Sequence, residues 1–429
     1  MWHLLPHREN AALKRRGAGG RLVTVGLVAV TCLCFESVLA VQPASASTTT
    51  GVTRSTITVG TNVDLTGPLA SIGQAFELGE KLAVKQINQH GGIRGRKLKV
   101  VYEDDQGTSA GGITAARALI EQDHVLMDIA GGASTAMVGV GPVFEQSKVP
   151  LLDSLGSDPR MYTPPQKYIF LGLTVPRTIV SAAMANILTK RLKSKSVAIL
   201  SSSNAFCTSG LTFLKNDLKH NGAEVVTVQE FSTGSVTFVS QATRLKASGA
   251  KTIFMCSLGG TAQKYIPQLR NDGVNATLVG TATVADPSVV NSVGKTGSGF
   301  YLDWEPSAQF QTASGGPMGK LKKELKAAYP STYANLWTAA GQFTLFGYVD
   351  AFVGAQAIEN AGKNPTRNGI VKAFEHLHGY VPGKKGKFPY AVPVGLPEGW
   401  SAKDRIGHRG VELLHVYHGK VTSLGSVNG

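Results

Sequence analysis

From residue 56 onward the chain alternates between two hydrophobic periods, and it does so in one order. "ITVGTNV" (57–63) carries β-branched residues at alternate positions, the pattern of a strand. Leu78, Leu82, Ala83 and Ile87 then recur at helical spacing until "GG" at 91–92 ends the run. "KLKVVYED" (97–104), "VLMDIAG" (125–131) and "VPLLDS" (149–154) read as further strands, separated by helical segments. The same alternation begins again near 168–177, with strands predicted at 196–202, 224–231, 252–260 and 276–281. Strands separated by helices lie parallel, so two such runs predict two doubly wound α/β lobes. At 429 residues the chain is also too long for a single ordinary core.

After "GFYLDWEP" (299–306) the pattern turns helical, through "MGKLKKELKAAY", "QFTLFGYVDAFVGAQAIENAG" (342–362) and "RNGIVKAFEHLHG". "VELLHVYHGKVTSLG" closes the chain as two short strands around a His-Gly turn. Helices without new strands must pack on a sheet already built. The chain is therefore expected to return to its first lobe and cross back, a hinge-like arrangement.

The first 46 residues stand apart. Lys14, Arg15, Arg16 and Arg21 precede the apolar run "LVTVGLVAVTCLCF" (22–35), and "ASA" (44–46) supplies small residues for cleavage. This is the pattern of a secretory signal. Cleavage after Ala40 is an alternative, as is an uncleaved anchor, although 14 apolar residues are short for a span of about 20. Neither Cys32 nor Cys34 sits in a good lipidation context. The expected location is outside the cytoplasm, in the periplasm or on the outer face of the cell envelope.

The full chain carries +15, and the leader holds five basic and two acidic residues, so +12 remains beyond residue 46. Such a charge favours an anionic ligand or adhesion to an anionic envelope. It does not indicate nucleic acid, because no dense basic run interleaves with aromatics. "KLKKELK" (320–326) reads as a solvated helix face. Only Cys207 and Cys256 remain beyond the leader, and export makes a disulfide between them the favoured reading over free buried thiols.

The stretch "DLTGPLASIGQAFELGEKLAVKQINQHGGIRGRKLKVVYEDDQ" (64–106) resembles the start of type I periplasmic substrate-binding proteins. Within that family it is most similar to the branched-chain amino-acid-binding (Leu/Ile/Val-binding) branch of ABC importers. The likeness continues through "GGASTA" (131–136), "VPLLDSLGSDP" (149–159) and the helix at 342–362. It implies two lobes joined by three hinge crossovers, closing on a small molecule that the loaded protein delivers to the transmembrane subunits of an ABC permease. The implied layout is a signal peptide at 1–46, lobe 1 at 47–172, and lobe 2 at 173–302. Return helices of lobe 1 would occupy 303–385, and a crossover with the last lobe 2 segment 386–429. A monomer without cofactor or metal is expected.

Three first-lobe loops are candidates to hold the ligand: Leu65, Thr66 and Gly67; Gly132, Ala133, Ser134 and Thr135; and Gly156 with Ser157. Hydroxyls and amides on glycine-flexed loops can converge on a carboxylate. The resemblance assigns that role to Ser134, Gly156 and Ser157, with Thr135 beside them. In the second lobe Phe206 matches an aromatic that closes over the ligand, and Leu258 and Gly259 stand where aromatics are frequent. Ala282 or Thr283 falls where amino-acid binders carry a Glu for the ligand's ammonium. A buried ammonium without a partner is costly. The expected ligand is therefore a small carboxylic acid, an amide or an amino-acid derivative rather than a standard α-amino acid, unless Asp286 reaches in.

Catalytic readings are weak. "GKT" (294–296) has Val289 where a phosphate loop needs Gly. Asp104 and Asp105 sit at a strand end, and His376 with His378 read as helix-end surface residues. No enzyme is expected. A ligand-binding sensor of the same fold is the second reading.

Overall fold

The computed structural model describes residues 49–258, 261–284, 299–304, 314–334, 343–395, 397–418 and 420–427. The expected leader, Gly259, Asp286 and the "GKT" segment lie outside the described residues.

The first lobe is a five-stranded parallel sheet ordered β2-β1-β3-β4-β5. Its strands are β1 (Thr56–Val63), β2 (Lys97–Asp104), β3 (Asp128–Ala130), β4 (Leu151–Asp153) and β5 (Ile169–Leu171). Helix α1 (Ala70–Gln89) follows β1 and buries Leu78, Leu82, Ala83 and Ile87, the helical stripe read from the sequence. It ends where Gly91 and Gly92 take positive φ, and the Gly92 N–H donates back to the Ile87 carbonyl at 2.8 Å. Helices α2 (Ser109–Arg117) and α3 (Ser134–Ser147) complete the winding.

The second lobe repeats this winding and then extends it. Its sheet runs β7-β6-β8-β9-β10-β11-β12, parallel through β10 and antiparallel beyond it. The parallel strands are β6 (Ser196–Ser202), β7 (Glu224–Phe231), β8 (Thr252–Cys256), β9 (Thr277–Gly280) and β10 (Phe300–Trp304). The closing hairpin is β11 (Val411–Tyr417) and β12 (Lys420–Val427). Helices α4 (Arg177–Asn186), α5 (Ala205–His220), α6 (Val239–Ala247) and α7 (Ala262–Asn271) belong to it.

Between β10 and β11 the chain goes back to the first lobe, as α8 (Gly316–Ala328), α9 (Phe343–Asn360) and α10 (Arg367–Glu375). On α8, Leu321 and Leu325 are buried while Lys320, Lys323 and Lys326 are exposed, the solvated basic face expected there. Nearly every residue of α9 is buried, which suits a helix enclosed on all sides. It packs on α1 with the backbones in contact. A Cβ on Gly79 would overlap the Thr344 carbonyl, and one on Gly347 would overlap that of Phe76.

The last passage between lobes comes later than residue 386. The segment after α10 stays on the first lobe: the Trp400 indole donates to the Leu171 carbonyl at 2.7 Å, and Ile406 pairs with Leu171 as a parallel bridge. Arg405 meets Glu375 at 2.8 Å and lies over the Phe170 ring. These contacts carry the chain to Gly407 before it enters β11. That passage and the first one, at Gly172–Pro176, run side by side.

Candidate functional site

In an open parallel sheet, ligands meet the loops beyond the carboxyl ends of the strands. Here those loops from both sheets face one another across a narrow cleft with about 20 Å³ of free volume. The first lobe contributes Ile72 near the start of α1, Ala133 and Ser134 after β3, and Ser154 and Leu155 after β4. From α9 come Phe343 and Phe346, and Thr174 comes from the first passage between lobes. The second lobe contributes Phe206 after β6, Leu258 after β8 and Thr283 after β9. The wall is apolar with four hydroxyls, and none of these residues carries a charge.

The first-lobe loops are held by buried carboxylates. The Ala133 N–H donates to Asp64 Oδ2 at 2.9 Å. Asp153 Oδ1 accepts from the Leu155 and Gly156 amides at 2.9 and 3.0 Å. Ser154 Oγ donates to Asp350 Oδ1 on α9 and accepts from the Leu173 N–H, both at 2.8 Å. Burial pushes these acids upward, Asp153 to about 7 and Asp128 to about 8. Asp64 is raised well above the ordinary carboxylate range by burial and by the neighbouring Asp105 carboxyl.

The second-lobe wall is tied differently. Asn204 caps α5 by accepting the Cys207 N–H at 3.0 Å, which sets Phe206 in the first turn. Cys207 and Cys256 form a disulfide with Cα atoms 5.7 Å apart. Its two ends adjoin Phe206 and the loop bearing Leu258. The buried Arg177 guanidinium lies 4.3 Å from the Phe206 ring centre, on α4. Thr283 Oγ1 donates to the Ser257 carbonyl at 2.7 Å, fixing the turn after β9 against the loop after β8.

The sequence candidates separate accordingly. Ser134, Phe206, Leu258 and Thr283 line the cavity. Leu65 and Thr66 do not: both amides donate to Asp104 Oδ1, at 3.0 and 3.1 Å, so the first loop is tied to the end of β2. Gly156 and Ser157 do not line the cavity either, though the buried Ser157 hydroxyl has no hydrogen-bond partner among the described residues. The Gly156 amide is taken by Asp153, and the Ser157 amide donates to Ser134 Oγ at 3.0 Å. Thr135 reaches the other lobe instead, its Oγ1 accepting from the Ala205 N–H at 3.3 Å. Ala282 lies in the 3₁₀ turn Ala282–Val284 directly after β9.

Ile72, Ser154, Leu155, Thr174, Phe343 and Phe346 were not among the sequence candidates. Ser154 and Leu155 open the "SLGSDP" loop, whose strand-end position was the available signal. The aromatic pair Phe343 and Phe346 begins a helix that is distant in sequence, where no local pattern marks an end as cavity-facing.

Helices α3 and α5 both begin at the cavity, one from each lobe. Helix N-termini leave backbone N–H groups without intrahelical partners and favour negative charge.

Residues 56–413 match the family model described as periplasmic binding protein. The chain is 24% identical over 319 residues, 74% of its length and 83% of the relative's, to Leu/Ile/Val-binding protein homolog 3 of Brucella melitensis. Its fold is similar to that of the branched-chain amino acid transporter substrate-binding protein LivJ of Streptococcus pneumoniae, solved with isoleucine. That match has 19% identity and a TM-score of 0.70, covering 87% of this chain and 100% of the other. A solute-binding protein of an ABC transporter from R. palustris, solved with benzoate, gives 17% identity and a TM-score of 0.71, with 86% and 96% coverage.

Proposed function

This chain belongs to the periplasmic binding protein family, and on that premise we propose that it captures a small carboxylate between its lobes, outside the cytoplasm, and delivers it to an ABC-type permease. Its role is capture rather than catalysis. The supporting observation is the cavity itself: walls from both lobes, four hydroxyls, two helix N-termini, and no charged side chain among the described lining residues. A carboxylate is served by the Ser134 and Thr174 hydroxyls and the α3 start, since Ser154 and Thr283 already donate to Asp350 and to the Ser257 carbonyl. Among the described lining residues an ammonium finds no carboxylate, and its burial without one is unfavourable. The ligand best suited is a monocarboxylic acid with an aromatic or branched body and no free α-amine.

A thermal-shift panel tests this with purified protein and aromatic acids, branched short acids, their amides, and leucine. Ligand at about 100 times its Kd stabilises the folded state by about 2.7 kcal/mol. Acids are expected to raise the melting temperature more than their amides or leucine do. A larger shift with leucine than with any acid would overturn the ligand class and leave the binder role standing.

A further inference from the structure

A second concavity lies at the far end of the first lobe. Helices α1 and α9 run side by side with their beginnings at the cavity, at Ile72, Phe343 and Phe346. The second groove lies at the opposite ends of both helices, at Arg94 just past α1 and at Glu359–Ala361 in and beyond the last turn of α9. At 1.5 Å per residue, the 18 residues of α9 separate the two sites by about 25 Å.

This open groove has about 620 Å³ of free volume and is lined by Arg94, Lys372, His376 and Lys387, with Glu359 the one acid among its described lining residues. Glu359 is engaged by Arg94, through a 3.2 Å ion pair and through its carbonyl, which accepts from Nη2 at 2.9 Å. Lys372 and Lys387 are exposed, and neither meets a carboxylate within ion-pair distance among the described residues. Their backbones are fixed. Lys372 sits on α10, and the Lys387 N–H donates to Gln356 Oε1 on α9 at 2.8 Å. Exposed Lys384 and Lys385 flank Lys387, and Arg96 holds the Lys363 carbonyl at 2.9 Å beside Arg94. The result is a concave surface on which cations outnumber acids and stand on anchored backbone.

We propose that this groove docks the protein on the phosphate headgroups of an anionic phospholipid membrane. Charge complementarity favours that occupant: the chain beyond residue 46 keeps +12, and lysine and arginine clusters near a membrane surface each add attraction. Docking at this end leaves the cavity about 25 Å away and unobstructed. Among the described residues no helix is long and apolar enough to cross a membrane.

The test is co-sedimentation of the purified protein without its leader (residues 47–429) with vesicles of phosphatidylcholine alone, or with about one third phosphatidylglycerol. Binding is expected only to the anionic vesicles, weakening as salt rises. Lys372→Glu with Lys387→Glu should lower it about tenfold or more, at unchanged melting temperature. Lys320→Glu with Lys323→Glu on α8 should bind as the unmodified protein does. Equal binding to both vesicle types, or an equal loss in the α8 variant, would overturn the proposal. Binding of soluble polyphosphate with no binding of vesicles would also overturn it, by replacing the membrane with a polymer.

Discussion

In the first lobe, the loops that reach the cavity are tied by carboxylates buried beneath them: Asp64 holds Ala133, Asp153 holds Leu155 and Gly156, and Asp350 holds Ser154. In the second lobe, whose parallel strands wind the same way, the corresponding wall is fastened by the Cys207–Cys256 disulfide and by hydroxyl contacts such as Thr283 to Ser257. Asp303 is the buried carboxylate of that lobe among the described residues. One topology thus supports two ways of fixing a cleft wall. A carboxylate accepts several amides at once but makes the loop sensitive to protonation. A disulfide is indifferent to protonation and sensitive to reductant.

The largest expected effect comes from breaking the second-lobe tie. The bridge spans 49 positions, worth about 4 kcal/mol on the chain-entropy model. Cys207→Ser with Cys256→Ser should speed hydrogen exchange in β6 and β8 while β1 and β3 keep their protection. Equal loss of protection in both sheets would break the comparison.

The next effect is in pH. The values of about 8 for Asp128 and about 7 for Asp153 lie above the ordinary 3.8, so the folded chain holds protons that the unfolded chain releases. The stability linked to those protons is complete below about pH 4 and is lost as pH rises through about 7 to 8. The melting temperature should therefore fall between about pH 5.5 and pH 9. Asp128→Asn keeps an oxygen for the Asn62 N–H and should flatten that fall. An unchanged slope in the variant would assign the dependence to other groups.

The smallest effect concerns contact between the lobes. Thr135→Val removes the acceptor for the Ala205 N–H, worth about 1 kcal/mol in the closed form. Calorimetry should show a roughly fivefold to tenfold weaker ligand, with the melting temperature of the ligand-free protein within about a degree of the unmodified one. A melting temperature that drops as much as the affinity would make Thr135 a structural residue rather than a latch.

Much of this architecture was legible from local pattern. β2, β6 and β7 match their expected ranges, because short runs rich in β-branched and apolar residues between helical segments mark strands whether one face or both are buried. α9 was legible as a long apolar helix but not as a wall of the cavity, since that follows from its return to a sheet built more than 170 residues earlier. Thr66 and Gly156 illustrate the opposite limit. Polar and glycine-bearing loop residues look alike whether their hydrogen bonds serve a ligand or a neighbouring Asp, and only the fold decides. The late passage at Gly407 was hidden for a similar reason: Trp400 and Arg405 hold the chain to the first lobe through partners distant in sequence.

The central claim is that both lobes grip one carboxylate. Its most direct test is the calorimetric Kd of the best-binding acid in the unmodified protein, in Ser134→Ala and in Phe206→Ala. Each substitution should weaken binding about tenfold or more, because one removes a hydroxyl at the α3 start and the other an apolar wall at the α5 start. Affinity that falls in Ser134→Ala and is untouched in Phe206→Ala would place the ligand on the first lobe alone and contradict the account.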